Sequence, residues 1–167
     1  MDIKQYDNNL VGIKVTSEER NVLERAAHAT VRAIGLEATG AVARAEEAGD
    51  TAATEAAKEA KRAANKTIMA IGAVTKRVTD NRPPVYLTPV EEGLAVSVGE
   101  EGYTVLDGAE VGVAQDLLQR YADATVDAVE GYQHQGGLNT SASDRAHYGY
   151  VADAMAAQLR GSQPTQG

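Results

Sequence analysis

Ala45-Glu46-Glu47-Ala48-Gly49-Asp50-Thr51-Ala52-Ala53 decides how the first half of this chain folds. On both sides of it the sequence is rich in Ala, and apolar residues recur every three or four positions, the period of one helical face. Upstream the stripe is Leu23, Ala26, Ala27, Thr30, Ile34, Ala38, Ala41, Val42 and Ala45. Downstream it is Ala53, Ala56, Ala60, Ala63, Thr67, Ile71, Val74 and Val78. Gly49 interrupts the run, because glycine takes the left-handed conformation that ends a helix, and Asp50 or Thr51 can cap a new one. The spacing predicts two helices of about 30 residues, each about 45 Å long, folded into an antiparallel hairpin. The alternative is a single rod that tolerates Gly49 at about 1 kcal/mol and is stable only inside an assembly.

The flanks fit this reading. Thr16-Ser17-Glu18-Glu19 is a capping box, in which the Thr16 hydroxyl accepts from the Glu19 amide and the Glu19 carboxylate reaches back. Before it, Ile3, Tyr6, the turn-prone Asp7-Asn8-Asn9 and Leu10-Val11-Gly12-Ile13 predict an extended arm or small hairpin over residues 1–15. Asn81-Arg82-Pro83-Pro84 ends the second helix, since proline lacks the amide and pushes its predecessor out of helical angles. Beyond it, Val85 to Val90, Leu94 to Val98 and Tyr103 to Leu106 read as three short strands, a meander with Pro89 on an edge. So small a sheet must rest on a helix or on a neighbouring subunit.

Asp107-Gly108-Ala109-Glu110 is a second capping signature, and Val111, Ala114, Leu117, Leu118, Tyr121, Thr125, Ala128, Val129 and Tyr132 trace an amphipathic helix expected to cover the sheet. A Gly-containing connector, His134 to Ala142, leads to a last helix capped by Ser143 or Asp144. That helix carries Tyr148, Val151, Ala152, Met155 and Leu159, closes at Gly161 and is followed by a polar tail. The expected fold is α+β, mainly α. Its segments are an arm at 1–15, the long helical hairpin at 16–82, the meander plus amphipathic helix at 83–132, and the connector, helix and tail at 133–167. The last segment joins 16–132 in one folding unit.

Composition narrows the function. Phe and Trp are absent from the 167 residues and only seven Tyr supply aromatic bulk. Such a core is thin and favours borrowing surface from neighbours. There is no Cys, which removes disulfides, thiolate metal sites and a cysteine nucleophile. Neither a signal-peptide core nor an apolar run long enough to span a bilayer is present, so no membrane role is expected, and the expected location is intracellular or within a virion. The formal net charge is −8, and it is local: residues 85–130 hold ten Asp/Glu against Arg120 alone. Direct nucleic-acid binding is disfavoured, because phosphate affinity needs a concentrated basic face.

Side chains with chemical potential have plainer explanations. His28, His134 and His147 lack the paired spacing of a metal site. Ser141, Ser143, Asp144 and His147 lack a positioning elbow and read as helix capping. Gly99-Glu100-Glu101-Gly102 puts carboxylates where a phosphate needs bare amides. No catalytic residue, metal or cofactor is expected.

Three functions remain. The first is a non-catalytic structural or assembly protein that self-associates, with a virion's capsid or head-to-tail region as one setting in which neighbours would also hold the polar tail. Its interface candidates are the basic Lys58, Arg62 and Arg77, the acidic Glu91, Glu92, Glu100 and Glu101, and the aromatic Tyr132, Tyr148 and Tyr150. Charge asymmetry of this kind suits a head-to-tail contact between copies. The second is an acidic regulatory module that sequesters a basic protein. The third, ranked last, is an enzyme or small-ligand binder at a pocket of Tyr132, His134, His147 and Tyr148.

Overall fold

Helix α1 (Ser17–Glu47) begins where its capping box demands. The Thr16 Oγ1 accepts from the Glu19 amide at 3.2 Å, and the Thr16 amide donates to the Glu19 carboxylate at 3.2 Å. It ends at Gly49, whose φ of +68° is the left-handed turn that a side chain would strain. Asp50 then caps α2 (Thr51–Asp80), its Oδ1 accepting from the Ala53 amide at 2.9 Å. The two helices pack against each other as a hairpin, so the single rod does not form.

The computed structural model describes residues 1–80, 85–91, 93–98, 102–134 and 140–162. The remaining elements are β1 (Asp2–Gln5), β2 (Val11–Lys14), β3 (Val85–Val90), β4 (Gly93–Val98), β5 (Thr104–Leu106), α3 (Gly108–His134) and α4 (Thr140–Ser162). The fold is α+β and mainly α, with a three-stranded antiparallel sheet. The proline break at 81–84, the 99–101 turn, the 135–139 connector and the 163–167 tail lie outside the described residues.

The three-stranded sheet is not the consecutive meander expected from residues 85–106. Its order is β1-β2-β5, while β3 and β4 form a separate two-stranded hairpin. Burial gives the reason. Val11, Gly12 and Ile13 are buried and only Lys14 of β2 is exposed, so the backbone groups on both edges of the strand need partners. β5, also buried at all three residues, fills the open edge with Val11 opposite Leu106 and Ile13 opposite Thr104. The 1–15 segment is therefore part of the core sheet, not a free arm.

Helix α3 starts at the expected capping box. The Glu110 amide donates to Asp107 Oδ1 at 2.8 Å, and the Asp107 amide donates to Glu110 Oε1 at 3.1 Å. Helix α4 starts earlier than Ser143 or Asp144, at Thr140, and packs along α3. One apolar core joins Val11, Ile13, Leu23, Leu106, Leu118, Met155 and Leu159 with the base of the long hairpin at Ile71, Val74 and Val78.

The stripe expected on α2 is displaced by one residue over its first half. Thr54, Ala57, Lys61, Ala64 and Ile68 are partly buried, whereas Ala53, Ala56, Ala60, Ala63 and Thr67 are exposed. Both rows have helical period and meet at Ile71. A one-residue offset is about 100° of rotation, and alanine on both rows leaves no apolar contrast by which to choose between them.

The first strand ties back to α1 and to the end of α4. The Met1 ammonium donates to Glu19 at 2.9 Å, and Gln5 Nε2 donates to the Ser162 carbonyl at 2.7 Å, satisfying the last turn of α4. Burial alone would raise the Glu19 carboxyl, but the hydrogen bonds from the Met1 ammonium and from Thr16 outweigh it and hold the group below its ordinary value of 4.5. A depressed carboxylate stabilises the fold above its unfolded value and stops doing so as pH falls through the folded one. Glu19→Gln is accordingly expected to lower stability by about 1–2 kcal/mol at pH 7. The gap should close in acid, as read by urea unfolding at several pH values; a gap independent of pH would contradict the assignment.

Candidate functional site

On α1 the residues Arg25, His28, Ala29, Arg32, Ala33 and Leu36 follow helical spacing and form one wall of an open groove of about 650 Å³. Tyr121 of α3 and Arg145 of α4 complete it. The floor is apolar, of alanine methyls and the Tyr121 ring, and Leu36 lies at one end 65% exposed. Three guanidinium groups and an imidazole rim it in a chain of net charge −8.

The three arginines are not equivalent. Arg25 lies over the Tyr148 ring at 4.6 Å and donates from Nε to Asn21 Oδ1 at 3.1 Å, so it is already held. Arg32 and Arg145 are exposed, and among the described residues neither has an ion pair or hydrogen bond. Their charges are available to a carboxylate or other anion. A smaller recess continues along the same two helices past Ala33 to Glu37 and Arg120.

The residues singled out from sequence fall in several places. Lys58 is half-exposed near Glu46 at 3.8 Å and Glu55 at 3.6 Å, and Arg62 pairs with Glu59 at 2.8 Å. Both stand on the projecting part of the long hairpin, where exposed ion pairs contribute at most about 1 kcal/mol. Arg77 is engaged inside the fold, its guanidinium donating to Glu110 and to the Val105 carbonyl, which ties α2 to β5 and the start of α3. Tyr148 is half-buried under Arg25, and Tyr150 is 72% exposed. Glu91 is exposed at the turn between β3 and β4. Glu92, Glu100 and Glu101, and the side chains of Tyr132 and His134, lie outside the described residues.

His147 pairs with Glu18 of α1. Among the described residues no cluster of three or more His, Asp or Glu could hold a metal ion. Nor is any helix among them long and apolar enough to cross a membrane.

The groove arginines were not singled out from sequence. Arg25, His28 and Arg32 share a helical face and were legible as a basic stripe. Arg145 joins them only through the packing of α4, more than a hundred residues along the chain.

The β3–β4 hairpin is the second unusual feature. Register sets Val85 opposite Val98, Leu87 opposite Val96 and Pro89 opposite Leu94. Alternate positions of a strand share a face, so one face of the hairpin consists entirely of apolar residue types. The two strands pack on each other, and no other described element packs substantially on them. Leu87 is 59% exposed and Val90 49% exposed.

No known family, no curated protein and no solved structure matches the chain.

Proposed function

We propose that this chain is a non-catalytic structural subunit that self-associates within a larger protein assembly. The observation that carries the reading is the outer part of the long helical hairpin, where no side chain from residue 31 to residue 70 is fully buried. A helical pair of that length stands about 25 Å beyond the core, held by thin alanine contacts along one seam. Packing of an apolar face supplies most of the stability of a helix in a protein, and short helical segments are marginal alone. Here α2 leaves a second row of small residues, from Ala53 to Thr67, on its outside, and Met69 at its base is 74% exposed. Neighbouring copies laid along this arm would bury what the monomer leaves open. A particle with many identical neighbours, such as a virion in its capsid or head-to-tail region, is the setting the proposal extends to.

Light scattering behind size-exclusion chromatography tests it. The expected result is a mass above that of the 17.5 kDa chain that rises with protein concentration. A monomer at every concentration, in low and in moderate salt, would overturn the proposal. It would turn attention to an acidic module that binds a basic partner with steep salt dependence.

A further inference from the structure

The β3–β4 hairpin and the arginine-rimmed groove are complementary in three respects. The hairpin is apolar on one face, with Leu87 and Pro89 exposed there, and the groove offers an apolar floor of Ala29, Ala33 and Tyr121. The hairpin carries the exposed Glu91 at its tip. The groove carries Arg32 and Arg145 with no partner among the described residues. Lengths agree as well. From Arg25 to Leu36 the wall runs about 16 Å at the helical rise, and a six-residue strand such as β3 spans about 20 Å.

A free two-stranded hairpin is marginal in water, and an apolar hairpin face with exposed edges invites pairing with another chain. In this fold no described element packs substantially on it, and Leu87 and Pro89 are exposed. A cover must then offer apolar surface for Leu87 and positive charge for the acidic tip, and the groove offers both.

On this basis we infer that the β3–β4 hairpin of one copy seats in the Arg25–Arg32–Arg145 groove of the next, making a heterologous, head-to-tail contact. The inference rests on the self-association proposed above and adds the contact that first joins the copies, at surfaces other than the outer row of α2, which packs only once this contact has brought neighbours together. Each copy then has one hairpin to give and one groove to fill, so the contact propagates into a ring or a filament instead of stopping at a two-fold dimer. The Glu91 carboxylate facing the Arg32 and Arg145 guanidinium groups fixes orientation, and the apolar lining supplies most of the burial.

Two variants separate the surfaces. The groove variant is Arg32→Glu with Arg145→Glu, which leaves Arg25 on Tyr148 in place. The hairpin variant is Leu87→Asp with Glu91→Lys. All four side chains are exposed, so circular dichroism and melting temperature should stay near those of the parent chain. Should the charge reversals disturb folding, Arg32→Gln with Arg145→Gln replaces the first pair.

Each variant alone is expected to weaken self-association about 100-fold and to run as a monomer where the parent assembles. Mixed one to one, they retain one working groove and one working hairpin between them, and a heterodimer that grows no further should form. Sedimentation velocity on parent, variants and mixture reads all of this.

A parent chain that never associates overturns both this contact and the self-association proposal. Variants that assemble as the parent does overturn this contact alone. Monomeric variants that fail to recombine also overturn it, since another contact must then have been lost.

Discussion

Leu106→Ala is expected to destabilise the fold by about 3–5 kcal/mol, the upper part of the range for truncating a buried leucine. Leu106 is fully buried, with Val11 opposite it in the sheet register. Its strand packs on β2 and on the start of α3, and Leu106 belongs to the one apolar core. Asp107 follows at once as the cap of α3, so the backbone at 106 is held between a sheet ladder and a helix start and cannot move to fill the gap. A cavity that cannot collapse gives the large end of the range. With no Phe or Trp anywhere in the chain, no large side chain is available to swing in. For a chain of this size the loss corresponds to a fall in Tm of about 10 °C. Thermal unfolding followed by circular dichroism checks it, and a loss below about 1 kcal/mol would mean that β5 is not a core strand.

Gly149→Val is expected to cost about 2–3 kcal/mol, although valine is the better helix former of the two. Gly149 is buried in α4 where that helix crosses α3. A Cβ at this position would stand 2.8 Å from Thr125 Cγ2 and 2.9 Å from Thr125 Cβ. Thr125 has little freedom to retreat, because its Oγ1 donates to the Tyr121 carbonyl at 2.7 Å. The helices must separate, and the Met155 and Leu159 contacts along the same seam loosen with them. Thr125→Gly made together with Gly149→Val should recover part of the loss, because the two positions share one contact and their effects are not additive. Urea unfolding of the single and double variants measures the coupling. Purely additive effects would show that the close approach is not what constrains position 149.

Local chemistry in the sequence settled a good deal of this protein. Thr16 and Glu19, Asp107 and Glu110, and Gly49 and Asp50 each satisfy backbone groups within four residues of themselves, so the starts of α1 and α3 and the turn into α2 were legible from spacing alone. The early face of α1 and the stripe of α3 from Val111 to Thr125 were equally legible where Leu and Val stand out against polar neighbours.

Tertiary structure alone decided three further things. It chose which row of α2 faces α1, and the row with Thr54, Lys61 and Ile68 turned inward while four alanines stayed outside, a choice made by what each row meets. It paired β5 with β2 across about ninety residues instead of with β4 beside it, because the buried centre of β2 needed a second neighbour. And it brought Arg145 to Arg25 and Arg32, since a groove belongs to the packing of helices remote in sequence, and no period within one segment encodes it.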